Sequence, residues 1–145
     1  MAQVVPAWAV WALGSAAFAA LTAIFGKIGV EGIDSNLATF IRVVVILGMT
    51  GAIVTATGGW RPVGTIGGRT WVFLILSALA TGGSWLCYYR ALKLGPASGV
   101  APIDKLSVAL VAIFAATVLG ERLSGKNWLG VALVSAGALL LAIKG

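Results

Sequence analysis

Three ionisable side chains stand inside otherwise apolar stretches of this sequence. Arg42 lies in SNLATFIRVVVILGMTGAIVTA, and the adjacent Asp104 and Lys105 lie in GVAPIDKLSVALVAIFAATVLG. An ionised group at the centre of a membrane helix costs from about 2.5 kcal/mol upward, so such residues mark solute or ion pathways, or pair with one another. The chemistry open to this set is charge recognition and proton exchange. The chain has no His, one Cys (Cys87) and four acids, which leaves no constellation for metal ligation or for nucleophilic or acid–base catalysis. We expect no metal, no cofactor and no enzymatic activity.

The three charges fall at a common depth. At 1.5 Å per residue, Asp104 and Lys105 lie roughly 9 to 10 Å into their helix and Arg42 roughly 9 Å into its own. Both helices begin on one face of the membrane. Trp85 and Tyr88 precede the end of a third helix on that face, at roughly 6 to 10 Å. On this third helix Ser77, Thr81, Ser84 and Tyr88 recur at helical spacing with Trp85 adjacent, forming a polar stripe. Ser35, Thr39 and Arg42 repeat the pattern on the second helix, and Trp11, Ser15, Phe18 and Thr22 on the first. Ser and Thr can also bond back to their own helix, so the aligned depth of stripes and charges carries more weight than any one stripe. We expect a polar cavity lined by Arg42, Thr81, Ser84, Trp85, Tyr88, Asp104 and Lys105. Successive helical residues point about 100° apart, so Asp104 and Lys105 are expected to face different partners. Arg42 matches Asp104 in depth and is the expected counter-ion. Lys105, on a face with Ala101, Ala109, Ala112 and Ala116, is left to meet an anionic or zwitterionic solute.

These residues need membrane helices to hold them. The 145-residue chain is 60% hydrophobic and 10% charged, with mean hydropathy +1.05, whereas about a quarter of residues are charged in soluble domains. Stretches of roughly 20 apolar residues fall at Pro6–Phe25, Asn36–Ala56, Trp71–Leu92, Ser98–Leu119 and Asn127–Ile143. The expected fold is an all-α integral membrane protein, one domain over residues 1–145 with five transmembrane helices and no soluble domain. The first apolar run lacks a basic flank and exceeds a signal-peptide core, so it is expected to remain as a helix. Gly95 suits a helix C-cap and Ser98 an N-cap, while Pro102 is placed to kink the fourth helix. The last helix carries no ionisable group; Gly130, Ala132 and Ala136 suit it to close packing against a second copy.

Net charge is +6, but the basic residues cluster at helix ends, where they anchor to headgroups; we expect membrane lipid and no nucleic acid as a partner. Arg61, Arg69, Arg122 and Lys126 flank one face, and Lys27, Arg90, Lys93 and Lys144 the other, four against four. Such a balance does not fix an orientation. A chain with an odd number of helices that inserts both ways can pair with its inverted copy, giving the inverted symmetry on which many transporters are built.

The segments LTAIFGKIGVEGIDSNLATFIR and YRALKLGPAS, the Pro-containing helix after it, LGE at Leu119–Glu121 and the Gly-rich last helix resemble a single EamA-type repeat of the drug/metabolite transporter superfamily. The resemblance is to the short bacterial and archaeal members with one five-helix unit. It implies a dimeric transporter of metabolites in the prokaryotic inner membrane. The expected activity is secondary transport of a small polar solute, anionic or zwitterionic, by alternating access in an inverted homodimer. The competing expectation is a helical subunit that assembles with a larger membrane protein.

Terminal fusion reporters should find each terminus on both sides of the membrane. Two Lys added between residues 57 and 70 should bias insertion so that this loop stays cytoplasmic.

Overall fold

A computed structural model gives the fold, and the structure describes residues 6–143. Among these it is all-helical: α1 (Ala7–Val30), α2 (Ser35–Ala56), α3 (Gly68–Leu94), α4 (Ala97–Asp104), α5 (Ser107–Thr117) and α6 (Gly125–Ala142), with a 3-10 turn at Val63–Thr65. Five helices are long and apolar enough to cross a membrane, with α4 and α5 together forming one of them, Ala97–Thr117. A membrane helix satisfies every backbone group within its own segment, so the apolar runs have no alternative where water is absent.

The ends follow local chemistry. Asp34 caps α2, its Oδ1 accepting from the N–H groups of Asn36 (2.8 Å) and Leu37 (3.2 Å). Ser124 does the same for α6 through the N–H of Asn127. Beyond α2 and α5 the chain reverses at Gly58 (φ 65°) and Gly120 (φ 70°), left-handed conformations that glycine adopts without strain. Gly95 stands directly after α3, where a C-cap is expected, though outside the left-handed region. One sequence expectation fails here: the N-cap of α4 is Pro96 rather than Ser98, and its extended backbone starts the helix without a side-chain cap bond.

The described chain falls into two compact units. In the unit Ile28–Lys93, burial concentrates where α1 ends, α2 begins and α3 ends. Val30, Ser35, Ala38, Thr39, Tyr89 and Leu92 are all buried. Lys93 Nζ donates to the Ile33 carbonyl at 2.7 Å, tying the end of α3 to the turn before α2. In the other unit α6 packs on α4 and α5. On these helices the buried residues are Ala112, Ala115 and Ala138, small side chains that let helices approach closely, and Ala23 and Gly26 of α1 are buried as well. Most large apolar side chains point outward, Trp11 (82% exposed) among them. Outward apolar surface on this scale is suited to hydrocarbon rather than water.

Backbone hydrogen bonds hold the Asp34 carboxyl below its ordinary value of 3.8, assisted by nearby Lys93 and Arg90. A lowered folded-state pKa contributes stability above the unfolded value, lost as pH falls through the folded one. Asp34→Ala should therefore lower the thermal midpoint of the detergent-solubilised protein at neutral pH. The gap from wild type should close as pH is taken below 3.8.

Candidate functional site

Arg42 is positioned by the register that Asp34 sets for α2. From Ser35, helical steps of three and four residues reach Ala38, Thr39 and then Arg42, so the guanidinium projects from the buried face. On α3 the same spacing aligns Trp85, Tyr89 and Leu92. Long side chains bridge the two helices: the Arg42 guanidinium carbon lies 4.8 Å from the Trp85 ring centroid and 4.6 Å from that of Tyr89. Tyr88 is half-buried and meets Tyr89 edge-on, with centroids 6.2 Å apart.

No hydrogen-bond partner reaches Arg42 Nη1, although this atom is buried. Cation–π contact attracts the charge to the ring faces but satisfies none of the N–H donors, which lie in the guanidinium plane. The site is thus an aromatic-held cation with one buried donor, Nη1, left without an acceptor. Ser35 Oγ, on the same face of α2, is likewise buried and unpartnered.

Asp104 and Lys105 do the opposite of what their sequence positions suggest. Lys105 Nζ lies 3.2 Å from Asp104 Oδ2, in an ion pair. The expected 100° separation assumes a continuous helix. Here α4 ends at Asp104, and the N–H groups of Lys105, Leu106, Val108 and Ala109 each bond to a carbonyl three residues back. Tighter turns of this kind interrupt the α-helical angle. Pro102, inside α4, has no N–H for the Ser98 carbonyl and weakens the same stretch. The flexible lysine stem then folds back onto its neighbour. Asp104 is half-buried and Lys105 exposed. On the alanine face Ala112 is buried and Ala101, Ala109 and Ala116 half-buried.

The polar stripes are more self-contained than their alignment suggests. Thr81 donates to the Ser77 carbonyl at 2.8 Å and Thr39 to the Ser35 carbonyl at 2.9 Å. Thr81 and Ser84 are exposed. Of the expected cavity residues in the unit Ile28–Lys93, the structure brings Arg42 to Trp85 directly and places Tyr88 beside the ring of Tyr89. Tyr89 itself escaped the sequence reading, which followed the stripe to Tyr88. Its signal was the spacing of four from Trp85, which stacks two aromatic rings one turn apart. On α6, Gly130, Ala132 and Ala136 are exposed. Among the described residues no cluster of His, Cys, Asp and Glu suits a metal ion.

Five helices long and apolar enough to cross a bilayer, with charges set among them, define a multi-pass membrane protein. Residues 6–143 match the EamA-like transporter family, and the chain belongs to that family. It is 63% identical over 136 residues to a Sinorhizobium sp protein named "Uncharacterized transporter in cobO 3'region", covering 94% of this chain and 96% of that one. No solved structure gives a significant match.

Contact between Arg42 and the Trp85 ring should appear as coupling in a double-mutant cycle. Arg42→Gln and Trp85→Leu should each destabilise the solubilised protein. The double variant should fall short of their sum by about 0.5 to 2 kcal/mol, the range of exposed to desolvated cation–π pairs. Additive losses in thermal unfolding would show that the ring does not hold the charge.

Proposed function

We propose that the protein is a secondary transporter of small polar solutes, anionic or zwitterionic. It works by alternating access as an inverted homodimer, each chain supplying one five-helix unit. Support comes first from the family and from the relative's name. The single observation that carries the mechanism is the interrupted fourth span, with the Asp104–Lys105 pair at its break. Transporters place substrate and coupling-ion sites at discontinuous helices, because irregular backbone is tolerated in a bilayer where it lines a cavity.

The pair supplies a charge switch. With both groups ionised it is neutral overall. A proton taken up by Asp104 removes the negative member and leaves Lys105 as a free cation, able to attract an anionic group. Loss of that proton restores the pair and displaces the anion. No nucleotide-binding signature occurs in the sequence, so a solute or ion gradient supplies the energy. The exposed Gly130, Ala132 and Ala136 on α6 offer a second copy a surface that admits close helix approach.

The test is counterflow in proteoliposomes with a panel of amino acids and organic acids. Wild type should exchange a subset of the panel in a pH-dependent manner. Asp104→Asn should remove most of the pH dependence, and Lys105→Gln most of the exchange, with both variants still dimeric. A folded dimer that exchanges none of the panel and purifies with a larger membrane protein would favour the helical-subunit reading.

A further inference from the structure

We infer that Arg42, with Trp85 and Tyr89 on its guanidinium, is the receptor for a carboxylate group of the solute. This assigns the anion to Arg42 as its resting site, whereas Lys105 is occupied by Asp104 whenever that acid is ionised. The inference rests on the transporter reading for the solute's passage, but not for its binding.

Three observations on α2 and α3 lead to it. A guanidinium is charged at every accessible pH, and neither carboxylate of the unit Ile28–Lys93, Glu31 or Asp34, is an ion-pair partner of Arg42. Its rings stand 4.6 and 4.8 Å from the carbon, which holds the guanidinium between α2 and α3 without supplying a hydrogen-bond acceptor. A planar fork with open parallel donors matches a carboxylate in bidentate geometry. The third observation is the unpartnered Nη1, buried and therefore unable to spend its hydrogen-bonding capacity on bulk water.

Charge matching narrows the class. Arg42 is the sole charged residue of α2. In the same unit Lys93 donates to the Ile33 carbonyl, and Arg90 is exposed near the end of α3. One cation in a low-dielectric setting best balances one negative charge, so a monocarboxylate fits better than a phosphate dianion. A lipid headgroup is the other source of an anion. Arg42 lies about 10 Å along α2 from its start, below the headgroup level, and this favours a solute that enters from water. The rings also offer an apolar wall to the body of the solute.

Isothermal titration of the wild-type protein in phosphatidylcholine nanodiscs, with benzoate as probe, tests this directly. Benzamide, the neutral isostere, and inorganic phosphate serve as comparisons, and a second set of discs contains phosphatidylglycerol. Benzoate should bind saturably, and benzamide should bind at least about tenfold more weakly, given the strength of charge-assisted bonds. Arg42→Gln should lose roughly tenfold or more in affinity, and Tyr89→Phe, which keeps the ring, should lose little. Should Arg42→Gln fail to fold, Arg42→Lys decides the matter: it keeps the charge but not the fork, and should weaken binding by roughly fivefold. Equal benzoate affinity in wild type and both Arg42 variants overturns the assignment. So does the absence of benzoate binding in phosphatidylcholine discs, and so does an Arg42 effect that appears only with phosphatidylglycerol, which identifies the occupant as lipid. Loss of dimer in Arg42→Lys without benzoate binding by wild type would identify it as an acid of the second copy. Exchange of uncharged or cationic solutes by a protein that does not bind benzoate would sink this inference and leave the transporter reading standing.

Discussion

A bilayer interior has no water to hydrogen-bond a backbone group or to screen a charge, and this constraint sets the rest of the structure. It forces the apolar runs into helices and sends the connecting turns to the surfaces. There Asp34 and Ser124 cap helix starts, and Gly58 and Gly120 reverse the chain. It also explains the outward large apolar side chains and the small buried ones. In lipid there is little gain from hiding a leucine, so α5 and α6 bury Ala112, Ala115 and Ala138 where close approach gives dispersion and packing.

The same constraint turns each embedded charge into a question about its partner. For Asp104 and Lys105 the answer is local: each neutralises the other at 3.2 Å. For Arg42 it is aromatic, and the magnitudes matter. A cation–π contact contributes about 0.5 to 2 kcal/mol, whereas an embedded arginine costs from about 2.5 kcal/mol to several times that. Two rings can offset part of the cost but leave Nη1 without an acceptor. A charge held in place yet not fully compensated is the condition for binding something else, which is why this residue rather than the paired lysine carries the ligand argument.

The five spans were legible because about 20 apolar residues with turn formers between them admit few other structures; their ends were found to within three residues, except that α1 runs on to Val30, five residues past Phe25. The family was legible from the YRALKLGPAS segment and the helices after it. The charge partners were not. Depth along a helix follows from counting, and it placed Arg42 and Trp85 in one layer. Partner choice depends on where a helix is interrupted, and the sequence signal for that was Pro102, whose effect appears as three-residue turns at residues 105–109. A continuous helix would have separated Asp104 from Lys105; the interrupted one unites them. Tyr89 was missed because polarity drew attention to the Ser and Thr stripe, although the spacing from Trp85 pointed to the buried ring.

The two charge sites differ in what motion can do to them. Asp104 and Lys105 are adjacent in sequence, so a rigid displacement of α4 or α5 leaves their separation nearly unchanged. What can alter that pair is a change in the turns between the two short helices. Arg42 reaches from α2 to rings on α3, so its contacts sense the separation and rotation of two different helices. A solute held by the guanidinium, as proposed, would bear on the side chain that bridges them. In the proposed transport cycle the aromatic-held arginine, rather than the local ion pair, is therefore the group through which a bound anion would bear on helix movement.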